Sequence, residues 1–168
     1  MNRMCFFSLA VACFSLMSQA HAFDVASDLF VAGDLHEAWQ AAAPGDPPKM
    51  FEEVPPTAAK ADRRLSRGGK KKGGVTGFVY ANAADAGAAY DKLLEGMGKD
   101  TQAIEGLGDQ ARSFSAITEY PPAAKMPPFH RAGVLFIRGK TVVYIGLSDM
   151  KAEELIPYAK KIDARIQK

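Results

Sequence analysis

The sequence is poor in the residues that most often carry redox or metal chemistry. Its 168 residues include only two cysteines, three histidines and one tryptophan. Both cysteines, Cys5 and Cys13, lie in an apolar stretch near the N-terminus. Once that stretch is removed, the chain cannot form a disulfide, a thiolate metal site or a cysteine nucleophile. We therefore expect no metal and no cofactor.

The first 22 residues have the pattern of a cleavable secretory signal peptide. Arg3 gives a positive start, and Cys5 to Met17 is apolar apart from two serines. Ala20-His21-Ala22 then supplies the small residues that signal peptidase requires. The apolar run is too short to span a bilayer of ~30 Å, and no later segment is apolar enough to do so. We expect cleavage between Ala22 and Phe23 and a periplasmic or secreted protein.

A lipid anchor at Cys13 is an alternative, as is an uncleaved N-terminal anchor. Leu9 to Cys13 distantly resembles a bacterial lipoprotein box, but Leu9 lies four residues before the cysteine where that motif usually places leucine three before. Residues 23–168 have a length typical of one domain that can bury a sizeable core. We expect a single domain with no transmembrane segment.

Periodicity predicts an α+β fold for this domain. Residues 23–56 are expected to form a helix over Val25–Ala43, with Leu29, Ala32 and Trp39 at helical spacing, followed by a Pro-rich connector. Residues 57–168 are expected to supply the sheet and the remaining helices. We predict a mainly antiparallel sheet with helices packed on it, built from two β-hairpin–helix units plus the N-terminal helix.

The two units follow from the local patterns. The first hairpin pairs Ala61–Arg67 with Val75–Ala81 across a Gly- and Lys-rich crossing, and its helix is Ala83–Gly98, capped by Asn82. The second pairs Arg131–Arg138 with Thr141–Leu147, and its helix begins near Ala152. The nearly continuous apolar residues of the second hairpin are typical of strands covered on both faces.

Charge is unevenly distributed along the chain. Residues 23–59 hold seven acids and one base, whereas residues 60–72 hold seven bases and one acid. An exposed basic hairpin tip can bind phosphate groups of an anionic surface such as a lipid bilayer; the alternative is a solvated turn. We do not expect nucleic acid as a partner, because no aromatic residues are interleaved with these bases. The candidate binding residues are Arg63, Arg64, Arg67, Lys70, Lys71 and Lys72.

A second candidate surface is the Pro-rich loop from Glu119 to Phe129. Proline fixes an extended path, so Tyr120, Met126 and Phe129 could form a stiff apolar contact surface for an envelope protein. The alternative is a loop folded over the edge of the core.

No catalytic motif stands out. His36 and His130 lack zinc-ligand spacing, and there is no Gly-x-Ser-x-Gly nucleophile elbow. We predict a non-enzymatic periplasmic or secreted binding or accessory domain of unknown ligand. The alternative is a small extracytoplasmic hydrolase in which one histidine joins a serine or an acid in space.

One motif resembles a known group of proteins. Ile104-Glu105-Gly106-Leu107-Gly108-Asp109-Gln110-Ala111, then Arg138-Gly139-Lys140 and a closing helix, is similar to small exported bacterial proteins, often lipoproteins, of unknown function and PsbP-like α/β sandwich fold. The resemblance covers residues 101–168. It implies an exported α/β protein with an accessory role and no shared catalytic residues. Gly106-x-Gly108 itself is interpreted as a turn before a strand, not as a phosphate loop.

Overall fold

The computed structural model describes residues 23–36, 38–42, 51, 54, 56–98, 100–118 and 128–167, with backbone alone for Lys71, Thr118 and Phe129. The strands are β1 (Trp39–Ala41), β2 (Ala59–Arg67), β3 (Lys70–Val79), β4 (Thr101–Ala103), β5 (Gln110–Thr118), β6 (Phe129–Arg138) and β7 (Thr141–Ser148). The helices are α1 (Ala83–Met97) and α2 (Ala152–Ile166). The strands form one antiparallel sheet in the order β1-β2-β3-β7-β6-β5-β4, which confirms the predicted α+β class.

The central strands are apolar on both faces because each face is covered by a different helix. Along β6, Val134 and Phe136 join the apolar cluster that contains α2, whereas Leu135 and Ile137 join the cluster that contains α1. Successive side chains of a strand point to opposite faces. The two helices therefore lie on opposite sides of the sheet.

Helix α1 begins where its cap was predicted. The Asn82 side chain accepts a hydrogen bond from the Asp85 N–H at 2.9 Å, which satisfies one of the helix's unpaired N-terminal donors. The buried face consists of Ala86, Ala89, Tyr90 and Leu93. No helix in the described part of the chain is long and apolar enough to cross a membrane.

The prediction of an N-terminal helix is wrong for the described residues. Residues 25–29 form turns and Gly33 adopts φ +87°. The segment then continues into β1. The apolar residues that suggested a helix are buried, but tertiary contacts set the backbone: the Tyr158 hydroxyl donates to the Leu29 carbonyl at 2.6 Å, and Arg165 pairs with Asp34. Helical spacing therefore identified core residues and not the backbone conformation.

The structure also does not match two repeated hairpin–helix units. Strands β1, β4 and β5 extend the sheet beyond any such pair, and β3 joins β7 directly, so the strands form one continuous sheet. The first hairpin is tighter than predicted, with only Gly68 and Gly69 in its turn. Both have positive φ, as a two-residue type I′ turn requires. The three lysines of the expected crossing lie in β3.

The Gly106–Asp109 motif is explained by a polar clasp, defined as Asp109, Arg138 and Asp163 with the backbone around them. Asp163 accepts from Nε and Nη2 of Arg138, both at 2.8 Å, and from the Gly108 N–H at 3.1 Å. Asp109 accepts from Arg138 Nη1 at 2.9 Å and from the Gly139 N–H at 2.6 Å. A Cβ on Gly108 would lie 2.4 Å from the Ile137 carbonyl oxygen. The motif is therefore structural.

The clasp predicts a loss of stability in Asp163→Asn. Asp163 is 4% exposed, and its replacement leaves the Arg138 guanidinium without its main partner. We expect unfolding to become easier by about 3 kcal/mol, the low end for a broken buried pair because Arg138 keeps some solvent contact. Chemical denaturation at pH 7 measures this, with Asp100→Asn as the exposed control, expected to change stability by less than about 0.5 kcal/mol.

The Asp163–Arg138 pair also predicts that the free energy of unfolding depends on pH. Burial raises the pKa of Asp163, but hydrogen bonds from Arg138 and the Gly108 N–H outweigh it and hold that pKa below its usual range. A carboxyl with a depressed folded-state pKa stabilises the fold above its unfolded pKa of about 4, and that contribution is lost as pH falls through the folded value. The gap between wild type and Asp163→Asn should therefore narrow below about pH 4; a constant gap would contradict this.

Candidate functional site

Three glycines lie side by side on the sheet. Gly74 of β3 pairs with Gly146 of β7, which pairs with Gly133 of β6. Their neighbours Val75 and Ile145 belong to the cluster on the α2 side, so the glycines face the α1 side. Where α1 does not reach, this row leaves a depression that we call the glycine trough.

Aromatic rings occupy the space that the missing side chains leave. A Cβ on Gly133 would lie 2.1 Å from Phe114 Cε1, and one on Gly146 would lie 2.8 Å from both Cε1 and Oη of Tyr144. The Tyr144 ring therefore lies along the sheet with its hydroxyl over Gly146. Phe51 contacts the same ring edge to face, with centroids 5.4 Å apart. Larger residues at these two glycines would displace the rings.

The β2–β3 side of the glycine trough is polar. Asp62 accepts a hydrogen bond from the Thr76 hydroxyl at 2.6 Å, and its other oxygen lies 2.9 Å from Arg64 Nε. Thr76 is 2% exposed, so this pair is part of the interior. The cavity bounded by these groups and by Gly74 and Gly146 has a volume of about 100 Å³, and Phe114, which covers Gly133, lines its other side. It accommodates a small group and not a large ligand.

The β6–β7 side of the trough presents hydrogen-bond donors. Arg131 and Ser148 are directly opposite each other on the two strands, and both line the cavity with Tyr144. Arg131 is exposed and forms no ion pair with any described residue, and the Tyr144 hydroxyl has no hydrogen bond within the same part of the chain. Burial raises the pKa of Tyr144, and the nearby Arg131 charge offsets this only in part, so the phenol remains a donor at neutral pH.

The predicted basic residues are not one patch. Arg64 lines the trough, Arg63 donates to the Ala26 carbonyl, and Lys72 pairs with Asp149. Arg67 and Lys70 face each other across the β2–β3 turn and are exposed. Lys71 lies beside them in β3. Among the candidates whose side chains the structure describes, only Arg64 lines the cavity.

The residues predicted for the Pro-rich loop are placed only in part. Tyr120 and Met126 lie outside the described residues, and Phe129 begins β6 without a described side chain. The predicted signal peptide likewise lies outside them. The loop enters β6 two residues before Arg131.

The two histidines lie apart from the trough. His36 accepts a hydrogen bond at Nδ1 from the Ala38 N–H at 3.4 Å. His130 lines a shallow cleft with Asp149, Lys151 and Glu154. Within the described ranges neither histidine is hydrogen-bonded to a serine, aspartate or glutamate side chain, and no cluster of three or more histidine and acidic residues is placed to hold a metal.

Sequence reasoning missed most of the site. Asp62, Thr76, Arg131, Tyr144 and Ser148 come from four strands, and they meet only through the strand register. One signal was present in the sequence: Gly133 and Gly146 each stand beside apolar and β-branched strand residues, and glycine inside a strand often marks close backbone approach.

Comparisons with known proteins do not identify the chain. Neither a scan against protein-family models nor a search of the curated proteins gives a match. A search of solved structures finds a crystal structure from Bacteroides thetaiotaomicron VPI-5482 at 1.50 Å resolution, with a TM-score of 0.43 and 9% identity. The alignment covers 79% of this chain and 40% of that one. A likeness at this level does not establish a shared fold.

The hydrogen bonding of two buried tyrosines predicts different effects of the same substitution. Tyr144→Phe should change the free energy of unfolding by less than about 0.5 kcal/mol, because the hydroxyl has no partner in the described chain. Tyr158→Phe should destabilise by about 1.5 kcal/mol, because it leaves the buried Leu29 carbonyl without its donor. Denaturant titrations compare them; equal losses would show that the Tyr144 hydroxyl is a structural group.

Proposed function

We propose that the protein is a non-enzymatic binding domain, periplasmic or secreted, that holds an acidic group of its partner in the glycine trough. The observation that carries the proposal is Arg131, an exposed cation that has no ion pair among the described residues at the edge of a polar cavity. Positively charged side chains beside buried donors are a common arrangement for recognising carboxylates and phosphates.

The cavity suits binding better than the shallow cleft around His130. Thr76 and Tyr144 are 2% and 7% exposed, so these two walls of the trough are fixed by packing, and only Arg131 at its edge is exposed among the described lining residues. His130, Asp149, Lys151 and Glu154, by contrast, are all exposed. A preformed site loses less side-chain entropy on binding than one that must be ordered. The trough is therefore the stronger candidate.

The proposed location rests on the N-terminal sequence. The small–any–small pattern ending at Ala22 and the short apolar run before it support export, with residues 23–168 as the mature domain. The similarity of Ile104–Ala111 to small exported PsbP-like proteins supports the same compartment and an accessory role. An envelope protein is then the expected partner.

Capture from an envelope extract tests the proposal. Immobilised wild-type protein and the control Lys160→Glu should retain the same partner, because Lys160 is exposed on α2, which lies on the face of the sheet opposite the trough. The Arg131→Glu variant should retain at least about tenfold less of this partner, because it loses a charge-assisted hydrogen bond.

Equal retention by Arg131→Glu would remove the trough from the interface. In that case, alanine at Tyr120, Met126 and Phe129 tests the Pro-rich loop as the contact surface. Loss of capture in this triple variant alone would transfer the partner site from the trough to the loop. Turnover of an ester or peptide substrate that requires His36 or His130 would instead favour the alternative of a hydrolase.

An anionic surface is a second candidate partner, because Arg67 and Lys70 are exposed and directly opposite each other at the β2–β3 turn. Each base near an anionic bilayer contributes about 1 kcal/mol, so the double alanine variant should bind phosphatidylserine-containing vesicles roughly thirtyfold more weakly. Lys140→Ala with Lys160→Ala is the charge-matched control. Vesicle sedimentation at two salt concentrations measures binding, and no difference between the double variants would indicate a solvated turn.

A further inference from the structure

We infer that the ligand group of the glycine trough is a single carboxylate on a small substituent. This rests on the proposed binding function and specifies its chemistry.

The size limits what can enter. Pockets for drug-sized ligands have volumes of ~300–1,000 Å³, whereas this cavity has about 100 Å³. That space holds a few non-hydrogen atoms. A carboxylate with one or two carbons fits, and a ring system or an acyl chain does not. Gly74 contributes no side chain to the floor, whereas Gly146 is covered by the Tyr144 ring, so the entering group meets backbone at Gly74 and the Tyr144 hydroxyl beside it.

The polar groups on the β6–β7 side are suited to an acceptor. Arg131 offers guanidinium N–H groups and no acceptor, and the Ser148 and Tyr144 hydroxyls can both donate. Arg131 and Ser148 are opposite each other on β6 and β7, and Tyr144 Oη lies over Gly146, two residues before Ser148. The side chain of Tyr144 is more than nine-tenths buried, yet its hydroxyl has no partner in the described chain. Because the hydroxyl itself is accessible to solvent, the ligand would replace water as its acceptor.

The charges favour one negative charge over two. Arg64 is matched by Asp62, whose other oxygen is occupied by Thr76. The unmatched charge in the trough is therefore that of Arg131 alone. A carboxylate balances it, whereas a phosphate dianion would add a second negative charge in the cavity that already holds Asp62, where like charges repel strongly at reduced dielectric.

Amide NMR of the ¹⁵N-labelled protein tests the inference with defined probes. Acetate and acetyl-Gly-Gly should shift the amide signals of Gly74, Gly133 and Gly146 saturably, and acetyl-Gly-Gly amide, which lacks the charge, should not. Gly108 and Gly139, whose N–H groups donate to Asp163 and Asp109 in the polar clasp, are internal controls whose amide signals should not shift. Tighter binding of acetyl-Gly-Gly than of acetate would identify a peptide C-terminus as the source of the carboxylate, and equal binding would identify a free small acid.

Variants connect the shifts to the trough. Arg131→Gln should weaken carboxylate binding at least tenfold and Tyr144→Phe about tenfold, whereas Lys160→Gln should leave it unchanged. Thermal unfolding establishes that each variant is folded. Inorganic phosphate binding as tightly as acetate at pH 8 would overturn the carboxylate assignment but leave the proposed function intact. Failure of every anion to shift the glycines would also overturn it, while Arg131-dependent capture of a partner would still support the binding domain.

Discussion

The ion pair between Arg138 and Asp163 connects three parts of the protein that are far apart in sequence. It joins α2 to the β6–β7 turn and, through Gly108 and Asp109, to the turn that precedes β5. Helix α2 is thereby fixed over the central strands. The N-terminal segment in turn lies on α2, held by Arg165 at Asp34 and by Lys161 at the carbonyls of Gly33 and Asp34. Val25, Leu29 and Leu35 of this segment pack on the α2 face, so their placement depends on where the clasp holds α2.

The two faces of the sheet are covered to different extents. On the α2 side, Val25 and Leu29 of the N-terminal segment come so close to β3 that a Cβ on Gly77 would lie 2.6 Å from Val25. On the α1 side, the helix covers one end of the strands and the glycine trough lies beyond it. Glycine offers no side chain for a helix to pack against, so flat-lying rings and a cavity take its place. The site is thus a consequence of how the core is packed.

The sequence predicted what depends on neighbouring residues and missed what depends on register. Helix α1, its Asn82 cap and the two-residue turn at Gly139-Lys140 arise from local signals, and the structure confirms them. The N-terminal segment has helical spacing, but Gly33 at φ +87° and the contacts with α2 give it turns. The trough needs strands β2, β3, β7 and β6 aligned to within one residue, because a slip of one would turn Gly146 to the opposite face. No local pattern contains that information.

Charge shows the same dependence on register. The bases from residues 60–72 form the most conspicuous cluster in the sequence, yet folding gives Arg63, Arg64 and Lys72 partners from the N-terminal segment, β2 and the β7–α2 loop. Arg131 belongs to no such cluster, and it remains without an ion pair in the described chain because Ser148, its cross-strand neighbour, is uncharged. The number of bases in a segment therefore does not predict which base can bind a ligand. Strand pairing decides this, because it determines which bases form ion pairs within the fold.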